Sequence, residues 1–361
     1  SGIANNLYRM FHVWFGNVRG GLAIGTMGLM IVISMFNGLS VAGMAIGATV
    51  ALPELLRRGY DKVMITGVIQ GGSSLGIMGP PSVVLILYAM IARQPVLQLW
   101  LAGIGPFILM AIVFTLYIYI RCRMQPELAP ILPAEERANI TTREKLVLLR
   151  EGLLPFGLFA AIMGLFFSGT TSLVETSMVG ALLSLLAAWF SGKLTKDVLE
   201  VTTRNTLAVS AMFLWIILGA LCFSAVYDGL GAIKAIESLL LNTFDLSPWG
   251  VLAMMLFSFI ILGMFLDDTA MLVIVAPLYI PLVKLLGFDL IWFGILYTIT
   301  CQIAYIVPPF GYNLFLMRAM APPEITIVDI YKSIVPFFFL MVFCMIIIMV
   351  FPDIAMYLPD L

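Results

Sequence analysis

Oxygen-bearing side chains are sparse in the apolar runs of this chain, and where they occur they sit beside glycines and proline pairs. Asn37-Gly38-Leu39-Ser40 interrupts one run, and Gly76-Ile77-Met78-Gly79-Pro80-Pro81-Ser82 interrupts the next. Asp267-Asp268-Thr269 interrupts a third, and Val307-Pro308-Pro309-Phe310-Gly311, with Asn313 just beyond, a fourth. Asn37, Ser40, Ser82, Thr269 and Asn313 offer uncharged oxygens suited to a hard monovalent cation. Proline lacks an N–H and drives its predecessor from helical angles, so each Pro-Pro pair should unwind its helix. Unwound carbonyls and half-helix C-terminal ends coordinate sodium, whereas half-helix N-termini favour a carboxylate.

The pattern therefore predicts one sodium site per tip-and-break pair, with the substrate between the two. The first site draws on Asn37, Gly38, Ser40, Gly76, Gly79 and Pro80, and the second on Asp267, Asp268, Thr269, Val307 and Pro308. Ser82, Pro81, Pro309, Gly311 and Asn313 are the expected substrate contacts. A carboxylate within an apolar run is costly and usually functional. Asp267 and Asp268 are thus read as ligands, helix caps or ion attractors, against the alternative of a solvated tip near the surface. Glu175 is read as a cap or anchor at the start of a span. No metal other than sodium is expected: His12 is the single histidine, and the four cysteines are scattered without a C-x-x-C.

The two tip-and-break units are diverged copies. Met35-Phe36 matches Met264-Phe265 at an offset of 229, and after a one-residue gap Ala48, Pro53, Gly59 and Asp61 match Ala276, Pro281, Gly287 and Asp289 at 228. The offset of 228 also carries Pro80-Pro81 onto Pro308-Pro309. In a strongly apolar chain, such paired interruptions point to the binding site of a secondary transporter.

The elements that must position these residues follow from composition. With 62% hydrophobic and 11% charged residues among 361, the chain reads as an all-α polytopic membrane protein. The first repeat is predicted over 1–124, with an interfacial arm helix at 1–19, a hairpin at 20–58, a broken helix at 62–92 and a helix at 97–121. A loop follows at 125–149. The second repeat is predicted over 150–361: spans near 150–168, 172–191 and 206–227, an arm helix at 229–245, a hairpin at 248–287, a broken helix at 289–320 and a span at 328–351. The second arm of the first hairpin, an apolar run of about 13 residues, is too short to cross at ~1.5 Å per residue, so a re-entrant hairpin is expected. Five crossings per copy is an odd number, which makes the repeats inverted. Shifting the three spans of copy two back by 228 places their counterparts before Ser1, so about 75 further N-terminal residues are expected. Sixteen of the 19 lysines and arginines fall on one set of connecting segments. That side is expected to be cytoplasmic, with hairpin one opening from it, hairpin two from the outer face, and the C-terminus outside.

At GGLAIGTMGLMIVISMFNGLSVAGMAIGATVALPELLRRGYD, GIMGPPSVVLILYA, GTTSLVETSMVGAL, GMFLDDTAMLVIVAPLYIPLVKLLGFD, WFGIL and PPFGYNLFL, the chain resembles the large membrane (M, DctM-like) subunit of tripartite ATP-independent periplasmic (TRAP) transporters. The family's Ser-Gly-Ser-Ser-like first tip reads Asn37-Gly38-Leu39-Ser40 here, and its Thr-Pro-Thr-Glu stretch reads Thr171-Ser172-Leu173-Val174-Glu175. The resemblance implies an elevator-type, sodium-driven importer of small organic acids in a bacterial or archaeal inner membrane. It also implies two partners, a small four-helix membrane (Q) subunit and a periplasmic substrate-binding (P) protein, besides membrane lipids. A sodium-coupled carboxylate symporter working without a binding protein shares the hairpin-and-break logic, but its Ser-Asn-Thr signatures are missing. An enzyme is disfavoured: there is no H-E-x-x-H, and Tyr227-Asp228 has no Gly-x-Gly-Asp to follow it. The absence of a GxxxxGK[ST] argues against ATP hydrolysis, that of a charge ring or repeated filter against a channel, and that of a basic face against nucleic acid.

Overall fold

A helix satisfies its backbone groups internally, which apolar surroundings demand. In the computed structural model no strand occurs among the described residues, which are 10–11, 13–14, 20–130, 157, 159–231, 247–266, 268–309 and 311–361. The expected arm helices at 1–19 and 229–245 and the loop at 125–149 lie largely outside them.

Helix α1 (Gly21–Asn37) ends at Gly38, whose φ of 66° turns the chain back while its N–H returns to the Met35 carbonyl. Next, α2 (Ser40–Ile46), a wide π turn (Gly47–Ala51) and α3 (Leu52–Arg57) form one continuous arm. The π turn directly precedes Pro53, which has no N–H to return to Thr49. Helix α4 (Lys62–Leu75) starts on the Asp61 carboxylate, which accepts from the Met64 N–H at 2.8 Å. After the first break come α5 (Val83–Ala92) and α6 (Val96–Met124).

The later half carries α7 (Leu173–Phe190), opened by a Ser172/Glu175 capping box, and α8 (Lys196–Gly229). Then follow α9 (Pro248–Gly263), α10 (Asp268–Leu285), α11 (Leu290–Ile306), α12 (Tyr312–Met320), α13 (Ile327–Val350) and the short α14 (Asp353–Met356). Asp289 caps α11 as Asp61 caps α4, accepting from Ile291 and Trp292 at 2.7 and 2.9 Å.

The hairpin arms are longer than their apolar runs. The arm from Ser40 continues to Arg57, and α10 covers 18 residues, about 27 Å at ~1.5 Å per residue. Indeed α10 is one of five helices among the described residues, with α6, α7, the first part of α8 and α13, long and apolar enough to cross a membrane. The helical arm from Ser40 to Arg57 thus exceeds the apolar run of about 13 residues within it. The cause is that Pro53, Pro277 and Pro281 are absorbed within helical arms rather than ending them.

Contacts sort the chain into two compact units, Ser1–Trp14 with Pro133–Trp215, and Phe15–Leu132 with Ile216–Leu361. The cut does not follow the predicted repeat boundary, because helices from both predicted repeats pack together in the second unit. There α1 lies on α4 and α9 lies on α11, while α13 packs against α4 and α6 against α11. All 17 residues of α11 are buried, as is α4 from Met64 to Leu75. Lys62 Nζ reaches the Asp329 carboxylate at 2.7 Å, joining the starts of α4 and α13. In the first unit, α7 and its part of α8 present exposed apolar side chains such as Trp189 and Trp215.

Candidate functional site

The first tip rests directly on the first break. The Gly38 carbonyl accepts from the Val83 N–H at 3.5 Å, and a Cβ on Gly38 would stand 2.6 Å from the Pro81 carbonyl oxygen. Only a glycine combines that approach with a left-handed φ. At the start of the break, a Cβ on Gly76 would lie 2.0 Å from the Ser34 Cβ, so α1 and the end of α4 touch backbone to backbone. Gly79 faces Met35 and Phe107, and the Pro80-Pro81 bond is cis. Ser82 closes the break: its hydroxyl donates to the Ile77 carbonyl and accepts from the Leu85 N–H, and its carbonyl accepts from Trp100 Nε1 at 3.3 Å. No carboxylate occurs from residue 20 to 53 or from 62 to 126, so this pair is built from neutral oxygens alone.

The second pair is more acidic. Asp268 and Thr269 open α10 and are buried, and Tyr297 Oη donates to the Asp268 main-chain carbonyl at 2.6 Å. Asp267 lies outside the described residues, as does the side chain of Asn37. Val307 ends α11 in an extended conformation, and Gly311 closes the break by donating its N–H to the Val307 carbonyl at 3.1 Å. A Cβ on Gly311 would meet the carbonyl oxygens of Tyr305 and Val307 at 2.8 and 2.9 Å, so two main-chain acceptors converge here. Pro308-Pro309 is cis like its counterpart, with Pro309 exposed.

The two pairs are joined by an exchange of partners. The α2 segment after the first tip packs on α12, the half-helix after the second break, and α10 packs on α5, the half-helix after the first. At the first joint Ser40 Oγ donates to Asn313 Oδ1 at 3.1 Å, and Asn313 Nδ2 lies 3.0 Å from Ser40 Oγ. Both side chains are buried. Ser40, expected at the first sodium site, and Asn313, expected at the substrate, thus meet each other. Neither α2, with Leu39 at its N-cap, nor α12, with Gly311, carries a side-chain cap, whereas α4, α5, α9, α11 and α13 do. Two helix starts without a side-chain cap therefore flank the Ser40–Asn313 joint.

Sequence reasoning missed Ser34 and two glutamines. Ser34 is fully buried, its Oγ has no hydrogen-bond partner among the described residues, and it fills the space a side chain at Gly43 would take, 1.8 Å from that Cβ position. Gln302, fully buried in α11, has neither amide end partnered, and Gln70 spends its Nε2 on Ser333 at 3.0 Å while its Oε1 is unpaired. The available signal was a polar side chain one or two turns ahead of a tip or break. Among the described residues no cluster of His, Cys, Asp and Glu is arranged to hold a metal ion.

Several known proteins resemble the chain. The family model for "Tripartite ATP-independent periplasmic transporter, DctM component" matches residues 1–354. The C4-dicarboxylate TRAP transporter large permease protein DctM of Pseudomonas aeruginosa is 29% identical over 99% of this chain and 82% of its own length. The ectoine TRAP transporter large permease protein TeaC of Halomonas elongata is 27% identical, with the same coverage. The sialic acid TRAP transporter permease protein SiaT of Haemophilus influenzae is 25% identical over 100% of this chain and 57% of its own. Among solved structures, the Alcanivorax borkumensis YdaH transporter has a TM-score of 0.63 at 15% identity, covering 99% of this chain and 87% of that one. Neisseria gonorrhoeae MtrF gives 0.61 at 13% identity, over 99% and 81%. The fold is thus that of a multi-pass membrane transporter, and the chain belongs to the DctM component family of tripartite ATP-independent periplasmic transporters.

Proposed function

We propose that this chain is the translocating subunit of a sodium-coupled importer of a small organic acid. A periplasmic binding protein delivers the acid to a complex of this chain with a small four-helix membrane subunit, and an elevator movement carries it inward. The observation that carries the reading is the Ser40–Asn313 joint between two uncapped helix starts. A carboxylate entering there takes hydrogen bonds from the Ser40 hydroxyl and the Asn313 amide, and the positive end of α12 favours its charge. Neutral oxygens around Gly38, Pro81 and Ser34 serve one sodium ion. Asp268, Thr269 and the converging carbonyls of Tyr305 and Val307 serve the other. The exchange of partners supports an inverted repeat, and relatives named for C4-dicarboxylates and sialic acid support a carboxylate cargo. The lysine and arginine bias supports a periplasmic C-terminus.

The test is uptake into proteoliposomes holding this chain and the small subunit, with a panel of labelled carboxylates. Uptake is expected to need both the binding protein and an inward sodium gradient, and to collapse when an ionophore dissipates that gradient. Uptake indifferent to sodium removes the coupling, and uptake without the binding protein favours the stand-alone symporter.

A further inference from the structure

Away from the site, α6 and α13 leave between them a groove of about 670 Å³ lined by Val113, Leu116, Ile120, Leu340 and Phe343, with Tyr117 and Arg121 towards one end. Leu116, Ile120 and Phe343 are about half exposed. A narrower cleft shares Tyr117 and Arg121 with the groove and adds Lys332 and Ser333. Arg121 Nη1 donates to Tyr117 Oη at 2.8 Å, holding the guanidinium over the groove's end, while its Nε is buried with no partner among the described residues. No Asp or Glu carboxylate among those residues forms an ion pair with Arg121 or Lys332. The apolar slot extends from Val113 to Arg121, about 12 Å along the helix axis. Arg121 lies in the last turn of a 29-residue helix, whose length of about 44 Å matches the distance between the two headgroup regions of a bilayer.

We propose that this groove is a binding site for an anionic glycerophospholipid, with an acyl chain along Val113–Ile120 and Phe343 and the phosphate on Arg121 and Lys332. An apolar slot ending in two cations without counter-carboxylates matches a lipid whose net charge is negative. A zwitterionic headgroup would bring its ammonium to the same cations. Basic pockets between membrane helices recognise anionic headgroups in this way, each cation adding about fivefold in affinity. The inference rests on the chain being membrane-embedded and is independent of the sodium and cargo readings.

The protein purified in mild non-ionic detergent is examined by native mass spectrometry, titrated with phosphatidylglycerol or phosphatidylethanolamine. Phosphatidylglycerol is expected to bind selectively and to raise Tm more than phosphatidylethanolamine does. The double variant R121Q/K332Q should bind it about 25-fold more weakly. R123Q, on an exposed neighbour bonded to Tyr119, should match the unsubstituted protein. Leu340→Trp, which fills the slot and spares both cations, should also displace the lipid. Equal binding and equal Tm shifts for the two lipids in the unsubstituted protein overturn the proposal, even if the variants fail to fold. Retention of phosphatidylglycerol by folded R121Q/K332Q overturns it too, as does a cysteine at Phe343 cross-linking in membranes to another protein chain.

Discussion

At the scale of single residues, the pairing of Ser40 with Asn313 is the most informative contact. Both were legible as polar groups in apolar surroundings. That they meet was not legible, since 273 residues separate them and only tertiary packing of α2 on α12 joins them. Asn313→Ala leaves the buried Ser40 hydroxyl without its partner and removes the donor that we propose for the cargo. Uptake at sub-saturating substrate is expected to fall by about 10- to 100-fold, the worth of a hydrogen bond to a charged group. A double-mutant cycle with Ser40→Ala should show coupling, and strict additivity would remove the pair from the binding step. Ser34 was invisible for a different reason: one serine in an apolar helix reads as packing. Deleting an unpartnered buried hydroxyl should not reduce stability. Ser34→Ala is therefore expected to keep or raise Tm while raising the half-saturating sodium concentration about tenfold. An unchanged sodium titration would exclude Ser34 from the ion site.

At the scale of elements, Pro-Pro pairs beside glycines marked both breaks, because two adjacent residues without N–H groups cannot be carried by one helix. Isolated prolines were poorer guides. Pro106, Pro277, Pro281 and Pro336 lie inside helices, where neighbouring helices can satisfy the freed carbonyls. Apolar run length consequently understated the hairpin arms. The polar end of the first hairpin is fastened by charge: Glu54 accepts from Arg57 at 2.8 and 3.0 Å and from Arg58 at 2.7 Å. Partial burial alone would raise the Glu54 pKa, but the two arginines outweigh it and hold the carboxyl below its ordinary 4.5. A lowered folded-state pKa means that this stabilisation is complete above pH 4.5 and is lost as pH falls through the folded value. Glu54→Gln is expected to cost about 0.5–1 kcal/mol at pH 7 and to flatten this part of the acid-side loss of Tm. Parallel Tm-versus-pH curves for the two proteins would contradict that assignment.

At the scale of the whole chain, the recurrence of paired prolines and glycines at a near-constant offset was legible in the sequence. The division into compact units was not, since contacts between distant segments leave no trace in local sequence. The packing of α2 on α12 sets two helix starts without side-chain caps beside Ser40 and Asn313. Most other long helices of the second unit begin on a serine, threonine or aspartate that occupies their first amides; α2 and α12 have no such side chain. Leu39 has the extended backbone of an N-cap, with φ −137° and ψ 145°, so an aspartate would fit there and cap the arm that begins at Ser40. Leu39→Asp is thus expected to act as a tethered competitor: unfolding becomes about 1 kcal/mol harder, and uptake falls in proportion to how fully its own carboxylate occupies the place that we propose for cargo.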